Sequence, residues 1–138
     1  SAPGVFAAGN LVHAAETADV AALSGRHAAR AAHTFLGGRT WPSGAPVAIV
    51  CEPPIRWMSP NAVAADVRGV PHDRFLLRVD RFLDAAELEV RQGERVLHRE
   101  RFRQLVPGRS ISLRAAWLAH VDGGGPSVDV RVRPEGRR

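Results

Sequence analysis

Two hydrophobic periodicities divide the chain. From Glu16 to Leu36 the pattern is helical and rich in alanine, and Ala18, Ala21, Ala22, Gly25, Ala28, Ala29 and Ala32 recur at the spacing of one helix face. Glu16, Thr17 and Asp19 supply capping groups and negative charge at the start, Arg26 and Arg30 lie toward the C-terminal end, and Gly37-Gly38 ends the helix. Ahead of it, Gly4-Val5-Phe6-Ala7-Ala8-Gly9 reads as a short apolar strand running into a polar Gly-Asn turn. The small-residue face would let the helix approach a sheet or a second helix closely, and it also offers a surface for a homodimer.

After Pro46 the period falls to two. Residues 47–51, 61–67, 75–82, 86–91, 95–102, 109–114 and 127–133 each read as a strand, separated by turn residues. Val128, Val130 and Val132 alternate with Asp129, Arg131 and Arg133, and Leu88 and Val90 alternate with Glu87, Glu89 and Arg91. Gln92-Gly93 provides a hairpin connection, and Pro107-Gly108 breaks the strand before it. Seven short strands without an intervening helix predict an immunoglobulin-like or fibronectin-like antiparallel β-sandwich. The resulting organisation is a strand and helix at 1–37, a linker at 38–46 and a β-sandwich at 47–138.

Charge and composition narrow the function. The 138 residues amount to one ordinary domain or a small domain with an appendage. All 19 basic residues are Arg against 14 acidic ones, a bias that resembles the codon usage of a GC-rich bacterial genome more than selection for a polyanion. With no basic motif interleaved with aromatics, nucleic-acid binding is not expected. No apolar run reaches the roughly 18 to 20 residues that span a bilayer, so no membrane association is expected, and a cytoplasmic location follows. The single cysteine, Cys51, sits in an apolar run and reads as a buried small side chain rather than a nucleophile.

Other candidate chemistry is sparse. His27 and His33 are six residues apart and do not share a helix face as metal ligands would. His120 and Asp122, near Ser110 and Ser112, form no recognisable triad, and Gly123-Gly124-Gly125-Pro126-Ser127 lacks the lysine and helix of a phosphate loop and reads as a hairpin loop. Trp41, Trp57 and Trp117 read as core or interface residues. No catalytic residue and no metal ligand are assigned.

The segment Pro3-Gly4-Val5-Phe6-Ala7-Ala8-Gly9-Asn10, followed by a turn and the helix opening with Glu16-Thr17-Ala18-Asp19, resembles the second flavin-contacting motif of FAD-dependent pyridine nucleotide-disulfide oxidoreductases. Gly9-Asn10-Leu11-Val12-His13 and the Glu16 to Asp19 spacing are similar to a bacterial branch of that family, the glycerol-3-phosphate-dehydrogenase-associated type. Met58-Ser59-Pro60-Asn61, Phe75 to Val79, Leu88-Glu89-Val90, Leu105 to Gly108 and Val128 to Val130 look like the landmarks of that branch's C-terminal β domain. Asn10 stands where the family usually has Asp, which leaves a hydrogen-bonding side chain without its charge.

The resemblance implies that residues 1–37 end an FAD-binding α/β domain whose body lies upstream in the same polypeptide. A start at Ser1, without methionine and close to a strand, fits that expectation. It implies that Gly9 and Asn10 contact the ribityl and phosphate region, that His13 neighbours the cofactor, and that Glu16, Thr17 and Ala18 form the helix end near the flavin. The parent would pass hydride between NAD(P)H and FAD. This chain holds neither Gly-x-Gly-x-x-Gly turn nor a Cys pair, so by itself it should be inert, its β-sandwich structural or partner-docking through Trp57 and Met58. The alternative is a non-catalytic β-sandwich that binds protein or carbohydrate, with residues 1–36 as an amphipathic docking helix.

Overall fold

The computed structural model describes residues 4–12, 17–38, 45–65, 70 and 73–134. The chain divides into two compact units, Ser1–Ser43 and Gly44–Arg138.

In the first unit a 3-10 turn at Gly9–Leu11 precedes the helix α1, Ala18–Leu36. Thr17 is its N-cap residue. The strand expected at 4–9 does not form. Val5–Ala8 have no ladder, and no other described residues of this unit form a strand that could satisfy them. The segment is held to α1 by side chains instead: the Phe6 ring meets the Phe35 ring edge-on at 6.1 Å between centroids. No residue of α1 is fully buried. Its half-buried residues are Val20, Ala21, Leu23, Ser24, Gly25, Ala28, Ala31, Ala32 and Phe35, while Ala18, Ala22 and Ala29 are exposed. The expected face is thus rotated toward Ser24 and Phe35, the two side chains that engage the preceding segment.

The second unit is mainly β. Its strands are β1 Val47–Cys51, β2 Ile55–Ser59, β3 Ala62–Val63, β4 Arg74–Val79, β5 Leu83–Gln92, β6 Arg95–Leu105, β7 Ile111–Arg114 and β8 Val128–Pro134, with a 3-10 helix at Ala116–His120. They form a five-stranded sheet in the order β3-β1-β8-β5-β6 and a three-stranded sheet in the order β2-β4-β7. Alternation explains the core. Phe75, Leu77 and Val79 of one sheet, and Leu88, Val90, Val128, Val130 and Val132 of the other, enter a single hydrophobic cluster. Trp117 stacks on Phe75 with centroids 4.7 Å apart. Each such large side chain contributes about 1.5–3 kcal/mol by leaving water.

Three features depart from the pattern-based reading. The five-stranded sheet is mixed, because β1 runs parallel to β8, with Ile49 opposite Val128 and Cys51 opposite Val130. β2 escapes the alternation rule because its register shifts between Ile55 and Trp57, which buries Ile55 and Met58 three residues apart instead of two. The expected strand at 61–67 shortens to Ala62–Val63, and 66–69 lie outside the described residues.

The glycine-rich segment 123–125 is not a hairpin loop. It leads from the 3-10 helix into β8, and so from the side of β7 in one sheet to the other sheet. Buried Gln92 fixes it, donating from Nε2 to the carbonyls of Asp122 and Pro126 at 2.8 Å each and accepting the Asp122 amide on Oε1 at 2.8 Å. Gly123 is required by proximity, since a Cβ there would lie 2.7 Å from the Ala65 Cβ and 2.9 Å from its carbonyl oxygen. Replacing Gln92 with Ala should strand two carbonyls and an amide and cost about 3 kcal/mol, seen as a lower urea midpoint with an unchanged slope.

Candidate functional site

The residues singled out in the first unit lie around one turn. Gly9 has φ +64°, a conformation that favours glycine, and its amide donates to the Ser24 hydroxyl at 3.0 Å. A Cβ on Gly9 would sit 3.7 Å from the Ala21 Cβ, so the turn rests on the second turn of α1. Ala21 and Ser24 are three and six residues past Ala18, or about 4.5 and 9 Å along the axis. The structure therefore brings Gly9 and Asn10 near the beginning of the helix that Thr17 and Ala18 open. Asn10, Thr17 and Ala18 are exposed. His13 and Glu16 lie outside the described residues.

The helix end has an occupant of its own. Thr17 makes no side-chain cap bond to the helix, and its side chain hydrogen-bonds Asp19 instead. That bond, with those from the backbone at Val20 and at Asp19 itself, holds the Asp19 carboxyl below its ordinary range. Asp19 thus satisfies amides that helix termini leave open. Asp19 caps the helix as its sequence position predicts, whereas Ser24 was not singled out from sequence. The only hint of Ser24 was a polar residue within an apolar stripe.

Among the described residues of the second unit the polar groups do not assemble a catalytic constellation. Ser110 takes hydrogen bonds from Arg78, the Asp122 carboxylate accepts the Gly124 amide, and the carbonyl of His120 accepts from Arg95. Among the described residues no group of three His, Cys, Asp or Glu could hold a metal ion. A groove of 560 Å³ lies between the edge strands β6 and β7, lined by Phe102, Leu105, Ile111, Arg103, Arg109 and Ser110 among others. None of its lining residues is a carboxylate or histidine, so it offers no acid-base pair. Trp117 is buried as expected, Trp41 lies outside the described residues, and Trp57 is half-buried under the Arg78 guanidinium, 5.7 Å from its ring centroid. Met58, read from sequence as a partner contact, is 4% exposed and belongs to the core.

The most constrained charge is Glu89, on the outer face of β5 yet only 4% exposed. Register places it directly opposite Arg99 of β6 and Arg131 of β8. Arg99 Nη2 lies 2.7 Å from one carboxylate oxygen, and Arg131 Nε donates to the other at 3.0 Å. Burial alone would raise the Glu89 pKa, but the bonds from Arg131 and Arg99 outweigh it and bring it below the ordinary glutamate value. Cys51 is half-buried rather than fully buried, and loss of water around the thiol pushes its pKa up to about 11.

Comparison with protein-family models, with curated proteins and with solved structures finds no match. No helix among the described residues is long and apolar enough to cross a membrane.

Two outcomes follow from the titrating groups. Since the folded-state pKa of Glu89 is depressed, its contribution to stability is complete above the unfolded glutamate value and is lost as pH falls through the folded value. The difference in unfolding free energy between the parent chain and Glu89→Gln should therefore be about 2–3 kcal/mol at neutral pH and shrink in acid, as measured by urea titrations at several pH values. The Cys51 thiol should resist iodoacetamide at pH 8 in the folded protein and react in urea, read by mass spectrometry.

Proposed function

We propose that this chain is the C-terminal part of a bacterial, cytoplasmic flavoprotein oxidoreductase that passes hydride between NAD(P)H and FAD, with the β unit as a structural or partner-docking module. The observation that supports it best is the Gly9 turn. A glycine with positive φ, its amide tied to Ser24, holds the exposed Asn10 side chain near the start of α1. That is the placement a cofactor's hydroxyl chain would need, with a missing side chain allowing close approach.

The fit to FAD is good at the turn and narrower at the helix. Asn10 would hydrogen-bond the ribityl hydroxyls. The Gly9 amide is already used by Ser24, so Gly9 contributes space rather than a donor. Asp19 occupies the Thr17 hydroxyl and the backbone donors at Asp19 and Val20, leaving the Ala18 amide to orient a polar ring edge. FAD would supply the hydride-accepting chemistry, and these residues bind and orient.

For the β unit we propose a fibronectin-like or immunoglobulin-like sandwich. The orders β2-β4-β7 and β8-β5-β6 correspond to strands A-B-E and F-C-C′ of such folds, with β1 beside β8 in the position of the last strand but running parallel to it.

The present chain, mixed with FAD and desalted, should be colourless, while a longer polypeptide that adds the two upstream glycine-rich turns should retain flavin absorbance. In that polypeptide Asn10→Ala and Thr17→Trp should each lower flavin content. Stoichiometric flavin on the present chain would overturn the partition, and unchanged flavin in both variants would remove the assignment of these residues.

A further inference from the structure

The outer faces of the two sheets differ in how their arginines are compensated. On the five-stranded sheet arginines meet carboxylates, Glu89 with Arg99 and Arg131, and Glu87 with Arg99 and Arg101, while exposed Arg103 and Arg133 have no ion pair among the described residues. On the three-stranded sheet the outward side chains include Trp57, Arg74, Leu76, Arg78, Ser112 and Arg114, and no outward position of β2, β4 or β7 is acidic. Two carboxylates flank β4: Asp80 bonds its neighbour Arg81, and Asp73, next to Arg74 and accepting the Ala115 amide on its carbonyl, forms no ion pair with Arg74 or Arg114.

Arg74 and Arg114 are directly opposite each other in the β4–β7 register, and both are exposed. Neither has an ion-pair partner among the described residues. Like charges in that position oppose pairing by about 0.2–1 kcal/mol. Between them and Trp57 lies Arg78, set over the indole ring and bonded to Ser110, so its guanidinium is oriented by the sheet. Arg and Trp are the side chains most enriched at the energetic centres of protein interfaces, and planar guanidinium groups match carboxylates two bonds at a time.

We propose that this face docks an acidic segment of a partner protein, with Arg74 and Arg114 meeting its carboxylates and Leu76, Trp57 and the stem of Arg78 supplying the floor. Charge complementarity selects the sign of the partner. The covered Trp57 ring selects protein over single-stranded nucleic acid, because base recognition on a sheet uses aromatic faces open to stacking. The groove between β6 and β7 continues this face past Ser110 and Ser112, giving an extended chain a path along the sheet edge. The inference goes beyond the flavoprotein reading and does not depend on it.

The test is fluorescence anisotropy with a labelled acidic peptide of about ten residues, alternating glutamate and leucine, and with an oligothymidine of equal charge. Removing Arg74 and Arg114 together, each changed to Thr, should weaken peptide binding about tenfold, the sum of two modest exposed charge pairs. Arg101→Thr with Arg133→Thr subtracts the same charge from the opposite face and should change binding less than about twofold. Circular dichroism spectra matching the parent chain establish that each variant is folded. Binding of the peptide that is lost only in the first variant supports the proposal. No peptide binding, equal weakening by both variants, or tighter binding of the oligothymidine through Arg74 and Arg114 would each overturn it.

Discussion

The pairing of β5 with its two neighbours through Glu89 is the constraint on which the β unit depends. β5 is flanked by β8 and β6, and Glu89 stands opposite an arginine on each side. Its neighbours Leu88 and Val90 are fully shielded in the core. A register slip of one residue would bring Glu89 into the apolar layer and put Leu88 and Val90 into water, so hydrophobic alternation and ion pairing select the same register. Arg99 and Arg131 also shield the carboxylate, which is how a charged side chain on an outward position becomes nearly inaccessible. Buried ion pairs are weak evidence of net stabilisation over an apolar substitute, but removing one member leaves the others uncompensated.

Once that register is set, the rest of the second unit follows locally. Gln92, three residues beyond Glu89, reaches across to Asp122 and Pro126 and fixes the chain as it crosses between sheets. The Gly93-Glu94 turn returns the chain as β6, where Leu97 is accommodated by a register shift and brings His98 opposite Val90. The three-stranded sheet then closes the core from the other side through Phe75, Leu77 and Leu113, with Trp117 over Phe75.

Much of this was legible in the sequence, and what was not has physical causes. Period-two alternation located β1, β4, β7 and β8 because each buries every second residue, and it located β5 and β6 from the alternation of residue types, although β5 buries Glu89 as well as its apolar residues and β6 buries only Leu105. It missed β2 because a bulge between Ile55 and Trp57 changes the interval between buried residues, and for the same reason Met58 looked available when it is core. Alternation says which face is buried but not which strand is next door, so the parallel β1–β8 pair had no local signal. In the first unit the helix and its glycine stop were readable from composition, whereas the strand before it was not realised, since apolar residues without a ladder partner remain a coil. The Gly9–Ser24 bond joins residues fifteen apart and leaves no periodic trace. Outward charges read uniformly as solvated strand faces, and only register separated the neutralised face from the one with Arg74 opposite Arg114.

One sheet face uses Arg99, Arg101 and Arg131 to hold the fold, and the other sets Arg74 against Arg114, which we propose are kept for a partner at a small cost in stability. Thermal unfolding of Arg131→Thr and Arg114→Thr, side by side at low ionic strength, tests this contrast most directly. Losing Arg131 should lower the midpoint by on the order of 10 °C, because it uncovers and unpairs Glu89. Losing Arg114 should leave the midpoint unchanged or raise it by a few degrees, because it relieves repulsion across β4 and β7. Equal falls for the two variants would contradict the account by showing that Arg114 supports the fold as Arg131 does.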